Sequence, residues 1–390
     1  MPTNCNTSTV RSDSDLRPTA HSLQSLPAWE DHRWTSLPHL MGTARADVCV
    51  IGLGGSGLTA IQTLLDHGLT VVGIDAQRVA GGAAGANGGF LLAGAARFYH
   101  ETVAALGRER AHLLYRLTLD EIERMASAMP DIVRRSGSLR IAMSVEELAD
   151  CERQVAAMIA DELPVARYEG PEGKGLLMPM DCVFDPLARC RRLAQSALQR
   201  GARLYEGTPA IDIKTGAVHA PQGIVICKHI VVAVDGKLDL LLPELADRVF
   251  TARLQMLGTA PTSEVKIDRA VYARYGYEYW QQLPDGRVLL GGFRDQALDA
   301  EWTHATETTA NIQDRLTSFL REHLRIAAPI THRWAAAVGY TESGMPITEE
   351  ARNNVWVLGG YNGTGNAMGA LCGRTVAQCV AGVKVSPLLV

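Results

Sequence analysis

The chain has 390 residues, 47% of them hydrophobic and 21% charged, with a formal net charge of −4. That length exceeds one ordinary domain, and that apolar fraction is enough for a two-lobed α/β body. The slightly acidic balance, without a Lys/Arg block, excludes a basic footprint for nucleic acid, and no apolar run approaches the roughly 20 residues that span a bilayer as a helix.

Residues 1–44 are rich in Ser, Thr, Pro and Asn and read as an N-terminal arm, with Trp29, Trp34 and Leu37 expected to dock its second half on the body. The arm lacks the basic start and apolar core of a secretory signal, which makes the cytoplasm the expected compartment. An apolar strand from Asp47 to Ile51 then enters Gly52-Leu53-Gly54-Gly55-Ser56-Gly57, followed by a helical pattern to Leu65 and a second strand, Leu69 to Ile74, that closes on Asp75. A G-x-G-x-x-G run inside such a βαβ unit predicts a dinucleotide site. Gly52 permits the tight turn, and Gly54, with Gly55 and Ser56 beside it, lets a diphosphate approach backbone N–H groups at a helix N-terminus. Gly57 lets the helix pack on the strand. Asp75 stands 23 positions after Gly52, close to the roughly 20 expected of a carboxylate that accepts a ribose hydroxyl. With Ala76 beside it, this carboxylate suits FAD or NAD rather than NADP.

Six glycines fall between Gly81 and Gly94, a composition that lets backbone approach a ligand closely; Gly85, Asn87, Gly88, Gly89 and Phe90 are the contact candidates. Helical patterns run from Tyr99 to Val133. A strand at Ser138–Met143 and a helix at Val145–Ile159 follow. Asp185-Pro186 opens a further helix, Gly201 stops it, and strands at Ala202–Tyr205, Ile224–Cys227 and Ile230–Val234 restore the α/β rhythm. Ala210, Ala233 and Asp235 lie at the ends of these strands and join the cofactor-binding set.

From Ala252 to Asp295 the pattern is of antiparallel strands, with Pro284-Asp285-Gly286 supplying a hairpin turn. Tyr277, Tyr279 and Gln281 alternate and so share one face, where aromatic walls suit an apolar or cationic amine. Arg253 completes the expected substrate site, and Gln255 shares its face. The chain closes with a strand at Val355–Leu358, a turn containing Gly360, Asn362, Gly363, Thr364 and Gly365, and a helix opening at Asn366. Eight cysteines form no C-x-x-C pair and eleven histidines no H-x-H or H-E-x-x-H. No metal centre is expected, and Cys49 and Cys227 read as buried small hydrophobes.

The order of these motifs resembles the D-amino-acid-oxidase-like FAD-dependent oxidoreductases from about Ala46 to Gly382. The resemblance is carried by the opening βαβ unit and by Ala83-Ala84-Gly85-Ala86-Asn87-Gly88-Gly89. It continues in Asp285-Gly286-Arg287-Val288-Leu289-Leu290-Gly291-Gly292, in Thr341-Glu342-Ser343-Gly344-Met345-Pro346, and in the closing Gly-Gly-Tyr-Asn-Gly-Thr-Gly-Asn at residues 359–366. It implies an α/β fold in which a Rossmann-like FAD-binding domain (45–135, 181–250 and 334–390) interleaves with a substrate domain of antiparallel β-sheet plus helices (136–180 and 251–333). It also implies bound FAD and oxidation of a carbon–nitrogen bond in an amine or amino acid, with oxygen or another acceptor taking the electrons. Three positions depart from the family pattern. Ala84 stands where a serine is common, Ala86 where an arginine is frequent, and Val338 where related enzymes carry the arginine that clamps a substrate carboxylate. Arg253, Arg294 and Arg333 are the remaining candidates for that clamp. Two other readings stay open: an NAD-dependent dehydrogenase, which shares the opening motif but gives no reason for the closing turn, and a flavin-binding protein without turnover.

Overall fold

The computed structural model describes residues 26–389, so the first part of the arm lies outside the described residues. At its centre is a six-stranded sheet in the order Arg203–Tyr205, Val71–Ile74, Val48–Ile51, His229–Val232, Val355–Gly359 and Ile347–Arg352. The first five strands run parallel and the last is antiparallel. Val48, Cys49, Val50, Val231 and Val232 are fully buried, as expected of parallel strands covered by helices on both faces. Helix Gly55–Asp66 packs against helices Ala367–Val380 and Pro186–Gln199. The chain leaves Val48–Ile51 toward Val71–Ile74 on one side and later returns as His229–Val232 on the other. The carboxyl end of Val48–Ile51 is therefore a topological switch point, where open α/β sheets bind ligands.

The second large sheet has eight strands, in the order Ile330–Tyr340, Phe250–Thr259, Val288–Gly292, Glu278–Gln282, Ala270–Ala273, Ser138–Ile141, Gly173–Met178 and Ala166–Gly170. Its pairings are antiparallel except where Ala270–Ala273 meets Ser138–Ile141 in parallel, so the sheet read from sequence as antiparallel is mixed at that junction. The parallel pair joins strands that lie far apart in sequence, which no hairpin can connect. Two smaller sheets complete the molecule. One pairs Gly42–Arg45 with strands between Asp212 and Ile226, and the other joins Phe90–Leu91, Cys182–Phe184 and Val133–Arg134.

Most expected elements appear within a residue or two of their sequence limits. The helical run from Tyr99 is two helices, Tyr99–Leu106 and Arg108–Ala128, because Gly107 between them adopts φ +82°. The second half of the arm is docked: Trp29 and Trp34 are buried, and their indoles donate to Asn87 O and Glu206 Oε1, each at 2.8 Å. Among the described residues, no helix is long and apolar enough to cross a membrane.

Candidate active site

A cavity of about 1020 Å³ lies between the two large sheets. One end is built by the opening βαβ unit. Strand Val48–Ile51 runs into Gly52 at φ +104°, and helix Gly55–Asp66 starts at once, capped by Gly54 with no side-chain hydrogen bond and no acidic residue in its first turn. The unfilled N–H groups and positive dipole end of this helix are thus left for an anion. Gly52, Gly54, Gly55 and Ser56 line the cavity. Gly57 stands behind them, where a β-carbon would collide with Gly52 O. Asp75 and Ala76 line the same end. The Asp75 carboxylate accepts from Leu53 N at 2.7 Å and Gln77 N at 2.8 Å. Burial raises its pKa, and these two donors oppose the shift.

A cation not found from the sequence joins this end. Arg189, on helix Pro186–Gln199, is only 6% exposed yet lines the cavity. Its Nη2 donates to Thr59 Oγ1 at 3.1 Å, and its Nη1 lies 3.4 Å from where a β-carbon on Gly55 would stand. No carboxylate pairs with it among the described residues, and burial lowers its pKa. Asp185-Pro186 marked the helix start correctly, with Ala188 N bonded to Asp185 Oδ1 at 2.9 Å. That the helix would lean on the glycine turn is a tertiary fact with no local signal.

The glycine-rich segment forms one turn of helix, Ala83–Ala86, and then doubles back. Asn87 ties it together, donating to Ala83 O and Ala84 O and accepting from Gly89 N and from Asn366 Nδ2. Three side chains from elsewhere grip its carbonyls: Trp29 at Asn87 O, Trp334 at Ala86 O (2.7 Å) and Gln281 at Gly88 O. Asn87, Gly88 and Phe90 line the cavity, whereas Gly85 and Gly89 form the back of the turn.

The closing turn is knitted by Asp235, whose carboxylate accepts from Gly339 N (2.9 Å), Gly360 N (3.0 Å) and Tyr361 N (3.3 Å). Burial raises this carboxyl's pKa against those donors. Asn362, Gly363, Thr364, Gly365 and Asn366 then line the cavity ahead of helix Ala367–Val380, with Gly360 behind them. Ala210 and Ala233 line it from the strand ends, as does Asp235 itself.

The opposite wall is one transverse row of the eight-stranded sheet. Register places Trp334, Met256, Gly291, Tyr279, Tyr272 and Arg140 side by side on six successive strands. All but Gly291 line the cavity. Burial raises the pKa of the Tyr279 hydroxyl and keeps it a neutral phenol. Tyr277 precedes its strand rather than lying within it, and faces Arg294, which also sits 4.6 Å from the Tyr340 ring and 5.0 Å from the Trp302 ring. Arg294, Tyr277 and Tyr340 line the cavity, and no carboxylate pairs with Arg294 among the described residues.

Two expected substrate residues are placed differently. On strand Phe250–Thr259 it is Leu254 and Met256 that face the cavity, so Arg253 and Gln255 point to the other side. There Arg253 forks onto both oxygens of buried Glu301 at 2.9 Å and donates to Ala300 O and Glu307 O, while Gln255 bonds Glu301 and Thr309. Gln281 does share the face of Tyr279, but its amide is spent on Gly88 O, and it positions the loop without lining the cavity. Of the other clamp candidates, Arg333 is engaged by Gln313 and Thr317. Val338 lines the cavity with an apolar side chain.

A Rossmann-like sheet with its switch point opening on a long cleft, closed at the far end by a mixed sheet, defines a dinucleotide-dependent oxidoreductase. The chain belongs to the DAO family, FAD dependent oxidoreductase, whose family model matches residues 47–379. It is 29% identical over 384 residues to the protein named "Probable oxidoreductase OrdL" of Rhizobium meliloti, covering 88% of this chain and 85% of that one. It is 27% identical over 372 residues to gamma-glutamylputrescine oxidoreductase of Escherichia coli, covering 86% and 84%. In fold it is similar to glycine oxidase from Geobacillus kaustophilus, with a TM-score of 0.74 at 19% identity over 88% of this chain and 96% of that one. The enzyme is thus an oxidoreductase with FAD as its cofactor. The residues present fit that group: a helix N-terminus without a side-chain cap, a buried guanidinium beside it with no carboxylate partner among the described residues, and a cleft that continues past two glycine-rich turns.

Proposed function

We propose that this enzyme oxidises the carbon–nitrogen bond of an amine or amino acid. When bound, FAD would supply the acceptor, at flavin N5, for a hydride from the substrate α-carbon, leaving a protonated imine that water would hydrolyse; with oxygen as the final acceptor the product would be hydrogen peroxide. Gly54, Gly55, Ser56 and Arg189 would hold the diphosphate, Asp75 the ribose, and Asn87 to Phe90 with Asn362 to Asn366 the flavin. The closing turn would bring the N-terminus of helix Ala367–Val380 to the flavin, favouring the negative charge that reduction leaves on it.

The observation that carries the substrate reading is the wall of Tyr277, Tyr279, Arg294 and Tyr340 facing the cavity beside Gly88. Its rings exclude water and orient an apolar or amine-bearing body, and its one cation, held by rings rather than by an acid, is open to a substrate carboxylate. Tyr279, kept neutral by burial, orients rather than accepts a proton. The names of the amine-oxidising and amino-acid-oxidising relatives support the same class. Anaerobic titration of the flavoprotein with polyamines, N-methyl amino acids and D- and L-amino acids tests it. Bleaching by at least one of them is expected, and a flavin that none of them reduces would sink the reading. Peroxide formation on admitting air then decides between oxygen and another acceptor.

A further inference from the structure

The far end of the same cavity holds another cation, which the proposed chemistry does not use. Arg140, on strand Ser138–Ile141, is 6% exposed and lines the cavity. Its guanidinium is stacked between the Phe98 ring at 4.0 Å and the Tyr272 ring at 4.8 Å. Its hydrogen bonds are long, 3.3 Å to Gln154 Oε1 and 3.5 Å to Ala96 O, and its Nε is buried without a partner.

The acids around Arg140 are committed elsewhere. Asp181 accepts from Ser138 Oγ and Ala93 N, and Glu147 from Met143 N and Tyr275 N. Glu101, exposed, caps Phe98 N, and Glu342 is exposed. None forms an ion pair with Arg140 among the described residues. A buried guanidinium with weak partners is costly unless an anion completes it. Two stacked rings fix its plane and leave an edge that matches the two oxygens of a carboxylate.

Position sets the length of the ligand. Arg140 and Tyr279 lie in one row, two strands apart through Tyr272, which is about 10 Å between backbones at the usual strand spacing. Tyr279 in turn touches the glycine loop, 3.3 Å from where a β-carbon on Gly88 would stand. Building on the amine-oxidation reading, we propose that Arg140 is an anion subsite for the far end of the substrate. The preferred substrates are then amines or amino acids with a carboxylate roughly four to six bonds from the oxidised carbon.

The test uses the flavin-loaded full chain and matched pairs of ligands. Pentylamine and 5-aminopentanoate differ only in that a carboxylate replaces the distal methyl, as do 1-pentanol and 5-hydroxypentanoate, and the second pair, which has no amine, reports binding through the flavin spectrum without amine turnover. The carboxylate-bearing member of each pair should bind at least about tenfold more tightly, as a desolvated charge-assisted pair requires. Arg140→Met, which keeps the stem between the rings, should erase that preference, and Arg140→Lys should restore part of it. Equal binding within the pairs by the unaltered enzyme would overturn the subsite even if the variants fail to fold, as would a preference that survives Arg140→Met. Arg140-dependent 5-hydroxypentanoate binding with no amine bleaching the flavin would instead uphold the subsite and sink the amine-oxidation reading.

Discussion

Tyr279 lies across Gly291. The two residues are opposite on neighbouring strands, and a β-carbon on Gly291 would stand 2.5 Å from the tyrosine ring. The missing side chain is what lets the ring lie along the cavity wall. Gly291→Ala should turn the ring away and raise KM for the bleaching substrate several-fold, with flavin content unchanged. Loss of flavin with KM unmoved would show that the ring supports the cofactor and not the substrate.

Arg189 should act on cofactor affinity. Removing one charge-assisted contact to a diphosphate in a dry site costs on the order of 1.5–3 kcal/mol, about tenfold or more in Kd. Arg189→Met apoprotein should therefore bind FAD at least about tenfold more weakly, followed by flavin fluorescence, while its affinity for riboflavin, which has no phosphate, stays the same. Equal losses for both ligands would point to a packing defect around Thr59.

Arg253 belongs to stability. Arg253→Met would leave Glu301, itself 1% exposed, without its charge partner, and breaking a buried pair on one side typically costs about 3–5 kcal/mol. A lower urea midpoint with unaltered KM is expected. A raised KM at full stability would return Arg253 to the substrate site.

These assignments mark where the sequence was readable. Gly52 to Gly57 was legible because strand, glycines, helix and Asp75 form one local unit, and the hairpin at Pro284-Asp285-Gly286 was legible because turn chemistry is local. Alternation put Arg253 with Gln255 and Tyr279 with Gln281, but period two does not say which face meets the cavity, nor that Gln281 spends its amide on Gly88 O. Arg189 and Arg140 were missed for a related reason. Each earns its place by contact with residues far away in sequence, Thr59 for one and Phe98 and Tyr272 for the other. Of the sheet through Gly42–Arg45 only the strand read at Ile224–Cys227 was found, at Gly223–Ile226; its other three strands, three or four residues long, are too short to show a period.

Asp181 gives a pH signature. Burial raises its pKa from the usual 3.8 to about 7, against hydrogen bonds from Ser138 and Ala93. The folded state then holds this proton more tightly than the unfolded chain. The stability it confers is complete below about pH 4 and is lost as pH rises toward 7, on the order of 4 kcal/mol. Urea midpoints for the unaltered protein and Asp181→Asn should diverge between about pH 4 and pH 7, the variant losing less. Parallel midpoints across that range would show Asp181 to be ionised throughout.

The indoles of Trp29 and Trp334 hold the carbonyls of two consecutive residues, Asn87 and Ala86. A polypeptide emerging amino end first lays down the turn early, yet the last of its clasps follows 248 residues after Ala86. Ribosome-bound fragments ending before Trp334 would therefore leave the cradle without its last clasp.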